Sequence, residues 1–235
     1  MKPLTTLFWT LAGMLLLSLP AFAAPGEMLD EKAPEAALEK GSPPPGPPIA
    51  QEMPEFAQWA VDYTYAGGEE TKTETASARP IRSVVTKTGT ISHEERTLER
   101  NLSDEVWFLG NDMVKRIPTS PELVVVHVLS QDIPFPDLRW LTKETFQGFE
   151  SQDGKKCLSY KWDEYSDTHV LIGTHYALVD PDTRYPILSR FRNETRRYTF
   201  LPPPKAMLVP PTDYVAVAKA MNDQIQRATP HFDPP

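Results

Sequence analysis

Beyond Pro54 the apolar residues of this 235-residue chain recur at every second position, and that periodicity excludes most architectures. In the run from Gln58 to Gly68, Trp59, Val61, Tyr63 and Tyr65 share one parity, while Ala60, Asp62 and Thr64 share the other. This is the alternation of a strand buried on one face and closed by Gly67-Gly68. Further strands are predicted over Pro80–Ile91, rich in β-branched residues, and over Glu105–Ile117, where Gly110-Asn111-Asp112 marks a hairpin. Leu123–Leu129 is apolar on both faces and reads as a central strand. Lys155–Trp162, Val170–Asp180, Pro186–Arg192 and Arg196–Leu201 complete a set of eight or nine.

The stretch VDPDTRYP, Val179 to Pro186, joins two of these runs. Proline cannot donate to a ladder, and Asp and Thr side chains satisfy backbone groups locally, so the stretch predicts a turn. With a tighter turn near Asn193-Glu194, Val170 to Leu201 becomes a three-stranded antiparallel meander. Helical signals are few. One short segment lies near Pro136–Thr145; a second spans Thr212–Ala228, with Val215, Ala218, Met221, Gln224 and Ile225 as its apolar stripe against the sheet. The fold class is therefore mainly β: a strongly curved antiparallel sheet or half-open barrel, with a short helix and a C-terminal helix.

Residues 1–23 read as a secretory signal, with Lys2 ahead of the apolar run Leu7–Leu19 and small residues Ala21 and Ala23 at a cleavage site. That run is too short to span a bilayer, which takes roughly 20 residues, and no later segment comes near it. The expected mature chain starts at Ala24 and is periplasmic or secreted, with no transmembrane segment after cleavage. No cysteine follows the site for acylation. Losing Lys2 takes the formal charge from −8 to −9, which speaks against nucleic-acid partners. Residues 24–54 are rich in Ala, Glu and Pro and predict a flexible tether, or a docking peptide for an aromatic groove. A single β-rich domain is expected over 55–228 and a short tail over 229–235. A lone cysteine, Cys157, excludes an internal disulfide.

The late strands carry a likeness to a known superfamily in short motifs. Ala177-Leu178-Val179-Asp180, Thr183 and Pro186-Ile187, followed by a strand, a polar turn and Tyr198-Thr199-Phe200, resemble the outer-membrane lipoprotein carrier superfamily, which includes LolA and LolB. The aromatic strand and polar turn of Glu105–Val114 resemble a hairpin of the same superfamily. The resemblance implies a half-open barrel with an apolar cavity that shelters acyl chains. It transfers no transport residue to this chain, and the proline-rich start departs from the family's opening helix.

On that reading Trp59, Val61, Tyr63, Tyr65, Trp107, Trp140 and Trp162 are candidate ligand-binding residues, the alternative being ordinary core packing. Arg184, Arg190, Arg192, Arg196 and Arg197 crowd into fourteen residues. Hairpin pairing would bring Arg190 or Arg192 near Arg196 or Arg197, so these four form a candidate anion site unless the protein's own acids neutralise them.

The histidines assemble no metal site: His169 and His175 lie roughly 20 Å apart along a strand, and His93-Glu94-Glu95 lacks the second histidine of HExxH. Cys157 is either exposed and reactive or covered by a helix. No nucleotide, dinucleotide or serine-hydrolase motif occurs. The expectation is a noncatalytic protein without a cofactor or metal, binding a lipid or acylated protein in the hollow of its sheet. The alternative is an envelope interaction or sensor module whose interior is filled by its own side chains and which binds another envelope protein.

Overall fold

A computed structural model describes residues 38–66, 78–116, 122–127 and 134–228. Eleven strands form one open antiparallel sheet: β1 (Phe56–Tyr65), β2 (Pro80–Thr88), β3 (Ile91–Leu98), β4 (Leu102–Leu109), β5 (Asp112–Arg116), β6 (Leu123–His127), β7 (Phe146–Gln152), β8 (Lys155–Tyr165), β9 (Leu171–Val179), β10 (Pro186–Phe191) and β11 (Glu194–Leu201). The helix α1 (Thr212–Ala228) follows. The predicted curved, half-open antiparallel sheet with a C-terminal helix is what the chain forms.

The spatial order β6-β5-β4-β3-β2-β1-β11-β10-β9-β8-β7 puts the first strand in the middle, hydrogen-bonded to the last. β6 and β7 are neighbours in sequence but stand at opposite edges. The chain between them must therefore cross the sheet, and this crossover decides what each face carries.

The register separates two faces. On the crossover face Trp59 lies opposite Phe200 on one side and Val85 on the other, and that row continues through Glu94, Val106, Lys115 and Val124. Phe135, Leu138 and Leu141 of the crossover pack there with Ile49, Trp59, Val61, Leu158, Tyr160, Ala177 and Val179. On the helix face Trp107 and Val114 pack against Tyr214 and Ala218 of α1. A third cluster of Cys157, Leu178 and Leu188 lies at the other end of that helix face, flanked by Tyr176 and Ile187.

The Val179–Pro186 turn forms as expected: Asp180 Oδ1 accepts the N–H groups of Asp182 at 3.0 Å and Thr183 at 2.8 Å, with the Thr183 hydroxyl at 3.0 Å. Other local readings are revised. Pro80–Ile91 is broken at Gly89, whose φ of 59° only glycine adopts freely, into β2 and the start of β3. β3 and β7 carry no clean alternation and were not foreseen. Leu123–Leu129 yields an edge strand, β6, in place of a central one. It is apolar on both sides because α1 contacts it on one face while Val124 and Val126 extend the crossover face on the other.

The helix turns Ala218, Met221 and Ile225 of the predicted stripe inward and adds Tyr214 to them. Tyr214 and Ala218 are buried, whereas Val215 is 45% exposed. The anchor is polar as well as apolar: Tyr214 donates to Glu105 Oε1 at 2.9 Å, His93 Nε2 lies 3.0 Å from Oε2, and the Trp107 indole N–H donates to Oε2 at 3.3 Å. The predicted short helix near Pro136–Thr145 shrinks to a single 3-10 turn, Pro136–Leu138.

Residues 38–54 of the predicted tether pack on the folded part. They lie along the sheet, with Ile49 only 4% exposed. Glu39 exchanges two backbone bonds of 2.9 Å with Phe149 at the edge of β7. Gly148, at φ 145°, permits this approach, because a Cβ there would meet the Glu39 carbonyl oxygen at 2.5 Å. Proline is tolerated because this segment needs only occasional ladder bonds, and the apolar Ile49 and Met53 supply the attraction. The signal, the start of the tether and the tail lie outside the described residues.

Two outcomes follow from this packing. Leu138→Ala, which empties space at the centre of the crossover cluster, lowers stability by about 2–5 kcal/mol in denaturant unfolding. For the helix anchor, burial pushes the Glu105 carboxyl up, but hydrogen bonds from Tyr214, His93 and Trp107 outweigh it and hold the group below its ordinary value of 4.5. A depressed carboxylate contributes stability above its unfolded pKa and loses it as pH falls through the folded one. The near-UV circular dichroism of Trp107 therefore declines on acidification below about pH 4.5, and this component of the decline is absent in Glu105→Gln.

Candidate functional site

Six of the seven predicted ligand-binding residues belong to the crossover side, and one does not. Trp59 and Val61 are core residues, at 7% and 5% exposure, with the Trp59 ring edge-on to Phe135 at 5.9 Å. Tyr63 lies one step further along β1 beneath the Arg196 guanidinium, 5.5 Å from its ring centre. Tyr65 ends the strand; its hydroxyl donates to the Pro80 carbonyl at 3.0 Å, and burial pushes its phenol up to about 12. Trp107 points to the helix face, stacked on His93 at 4.0 Å, and shares no surface with the others.

Trp140 and Trp162 come together at the end of β8. Cross-strand register sets Trp162, His175 and Phe191 side by side on β8, β9 and β10. Their rings stack at 4.9 Å and 3.9 Å, Trp140 lies over Trp162 at 6.5 Å, and the Arg192 guanidinium is 5.0 Å from the Phe191 ring centre. Beside this ladder opens a pocket of about 370 Å³ whose lining includes Leu138, Trp140, His175, Phe191, Glu194 and Arg196. The volume is near the lower bound of ligand sites, roughly 300 Å³. The charged lining suits a compact polar group better than an acyl chain.

Of the four predicted anion-binding arginines, Arg190, Arg192 and Arg196 line this pocket and Arg197 does not. Register places Ser189 opposite Arg196, Leu188 opposite Arg197 and Thr195 opposite Arg190, so the hairpin brings no two arginines directly opposite. Arg196 is bonded to both Glu194 and Asp137, which neutralise it. Arg190 lies over the Tyr176 ring at 5.6 Å, and alternation along β11 puts Arg197 on the face opposite Arg196.

The larger apolar surface was not legible beforehand. On the crossover face β2–β6 present Val85, Val106, Phe108, Met113, Val124 and Val126 in two adjacent rows. α1 cannot cover them, because it packs on the other face. Val106 is buried and Val85 packs against the crossover cluster, whereas Phe108, Met113 and Val124 are half-buried and Val126 is 42% exposed. Within the first row sits Glu94, whose carboxyl burial pushes above its ordinary value. Each strand here contributes only one or two apolar residues to this face, interleaved with Lys87, Ser92 and Lys115; only pairing reveals the patch.

Cys157 is fully buried, but beneath Tyr176 and Ile187 rather than under a helix. Burial pushes its thiol up, away from the thiolate a nucleophile requires. Among the described residues no group of three or more His, Cys, Asp or Glu side chains is placed to hold a metal ion. No described helix is long and apolar enough to cross a membrane. A thiol reagent such as DTNB reacts with the folded protein at least a hundredfold more slowly than with the denatured chain, at constant pH.

No family model and no curated protein matches this sequence. Among solved structures, the lipoprotein LppX of Mycobacterium tuberculosis is similar at 9% identity and a TM-score of 0.39, covering 66% of this chain and 90% of that one. A LolA-superfamily protein of Nitrosomonas europaea is similar at 13% identity and 0.34, covering 68% and 90%. LprF of Mycobacterium bovis is similar at 10% identity and 0.34, covering 66% and 89%.

Proposed function

We propose that the chain is an exported, noncatalytic binding protein that holds a hydrophobic or acylated ligand on the crossover face of its sheet, over β2–β6. The observation that supports this reading is the unequal filling of that face. Over β1 and β7–β11 it is occupied by Phe135, Leu138, Leu141 and Ile49, whereas over β2–β6 its apolar rows continue beyond the crossover cluster. Burying a methylene contributes about 0.8 kcal/mol, so ten buried carbons contribute about 8 kcal/mol before association costs that consume half or more. Glu94 stands within these rows as a half-buried carboxyl that burial pushes above its ordinary value. Export rests on the secretory pattern of residues 1–23, and the cargo's polar end has the pocket at Trp140, Phe191 and Arg192 as its nearest polar recess on the same face.

A second reading, an interaction module with a self-filled interior, draws on the crossover cluster itself, since the chain already supplies the apolar occupant of half the face. Titrating delipidated protein with lauric acid and with an environment-sensitive naphthalene dye separates the two. Under the binding reading the wild type takes up both, Phe108→Asp and Met113→Asp weaken uptake at least tenfold, and Trp107→Phe, on the helix face, leaves it unchanged. Absence of uptake by the wild type, or uptake indifferent to the two aspartates, leaves the interaction module as the function.

A further inference from the structure

Four of the eleven large apolar residues that the described part leaves exposed fall within ten positions: Trp162 at 40%, Tyr165 at 56%, Val170 at 63% and Leu171 at 52%. They share the β8–β9 hairpin, which outruns its neighbours. β7 pairs with β8 only over Lys155–Tyr160, and β10 pairs with β9 only over His175–Val179. From Asp163 to Thr174 the hairpin is thus a two-stranded ribbon without a third strand.

A ribbon of that kind is marginally stable alone, yet this one is braced. Thr174 donates to Asp163 at 2.6 Å, and His175 Nε2 lies 3.0 Å from Glu164 Oε2. At the turn, Ser166 N–H bonds the Val170 carbonyl at 2.8 Å while the Ser166 hydroxyl accepts the Val170 N–H at 3.0 Å. His169, at φ 59°, closes the turn. Below it, the ring ladder through Trp162 and His175 ties the base to β10.

The fold thus spends local order on holding apolar side chains out of the core. Register gives them to both sides: Trp162 stands opposite His175 on the crossover face, and after a bulge Tyr165 pairs with Leu171. A finger that is apolar on both sides matches a cleft better than a flat surface. Trp and Tyr are also the residues that most often dominate partner contacts. Glu164 is paired with His175, and Arg192 lies against Gly173 at the base, but beyond them Asp163 and Asp167 outnumber Lys161, so the tip is acidic; Asp167 carries no ion pair among the described residues. Such a finger is repelled by an anionic lipid surface and attracted to basic residues.

The geometry points to the β8–β9 hairpin as a docking finger for another protein, one that presents an apolar cleft rimmed by lysine or arginine. Four side chains on a ribbon bury far less than the about 1,600 Å² of a standard interface, so the association is transient. Preorganisation of the finger offsets part of the ordering cost. The inference does not depend on a ligand over β2–β6, whose lining is untouched by substitutions at the tip.

A peptide library displayed on phage, panned against the full-length mature protein, is the test. The wild type enriches peptides that combine apolar residues with lysine or arginine. A synthetic copy, followed by fluorescence polarisation, binds the doubly substituted Tyr165→Ser, Leu171→Ser protein at least tenfold more weakly, and Asp167→Lys about threefold more weakly. Near-UV circular dichroism and naphthalene-dye uptake match the wild type in both variants, which separates failure here from failure of the ligand reading. Peptides that bind the double variant undiminished, enrichment of acidic peptides, or no enrichment overturn the proposal. So does tip-dependent co-sedimentation with phosphatidylcholine vesicles or tip-dependent dimerisation without peptide binding, either of which assigns the finger to a bilayer or to a second copy.

Discussion

Pairing between the first and last strands is the contact on which the rest of the molecule depends. Eight residues of β1, Gln58 to Tyr65, match eight of β11, Leu201 back to Glu194. Without that ladder the chain is two separate meanders, β1–β6 and β7–β11. With it, the outermost strand of each meander becomes an edge of one sheet, and the single connection between those edges is forced across a face. The loop-closure entropy of bringing residues some 140 apart into register is large but grows only slowly with separation. A long ladder and the crossover cluster together offset it.

The crossover then sets how the two faces differ. Its Phe135 contacts the rings of Trp59, Tyr198 and Phe200 at 5.9, 6.0 and 6.2 Å, all edge-on. Rings contributed by adjacent β1 and β11 can meet one crossover residue only because register places them on the same side. The helix meanwhile follows β11 in sequence but packs far from it, against β4–β6 on the opposite face. Each end of the sheet is therefore covered on one face by a different part of the chain. The uncovered quarters are where Val126 on one side, and the Cys157 cluster under its own neighbours on the other, must manage exposure locally.

Partly buried polar groups mark where these layers are pinned. Glu105 gathers Tyr214, His93 and Trp107 under α1, while Glu150 accepts Ser159 and, at 2.6 Å, Tyr176 beside Cys157. Each carboxylate satisfies several donors that would otherwise be stranded away from water. Arg196 performs the matching role on the crossover face, joining Glu194 of its own strand to Asp137 of the crossover. That neutralisation removes one charge from the arginine-rich hairpin, while Arg190 and Arg192 lie against the Tyr176 and Phe191 rings.

Alternation at period two, the Asp180–Thr183 turn and the glycine-marked hairpins were readable as sequence because each depends on contacts only a few residues apart. They determined that the chain is a predominantly antiparallel sheet ending in a helix. The placement of β6 at an edge, the Tyr214 anchor of α1 and the separation of Trp107 from Trp59 were not readable. Each depends on which distant strand is neighbour to which, and a shift of one residue in register reverses every side chain. The aromatic ladder had the same fate: Trp162, His175 and Phe191 are 13 and 16 residues apart in sequence and adjacent only across strands. Local chemistry settled the elements, and long-range pairing alone settled which of their residues meet.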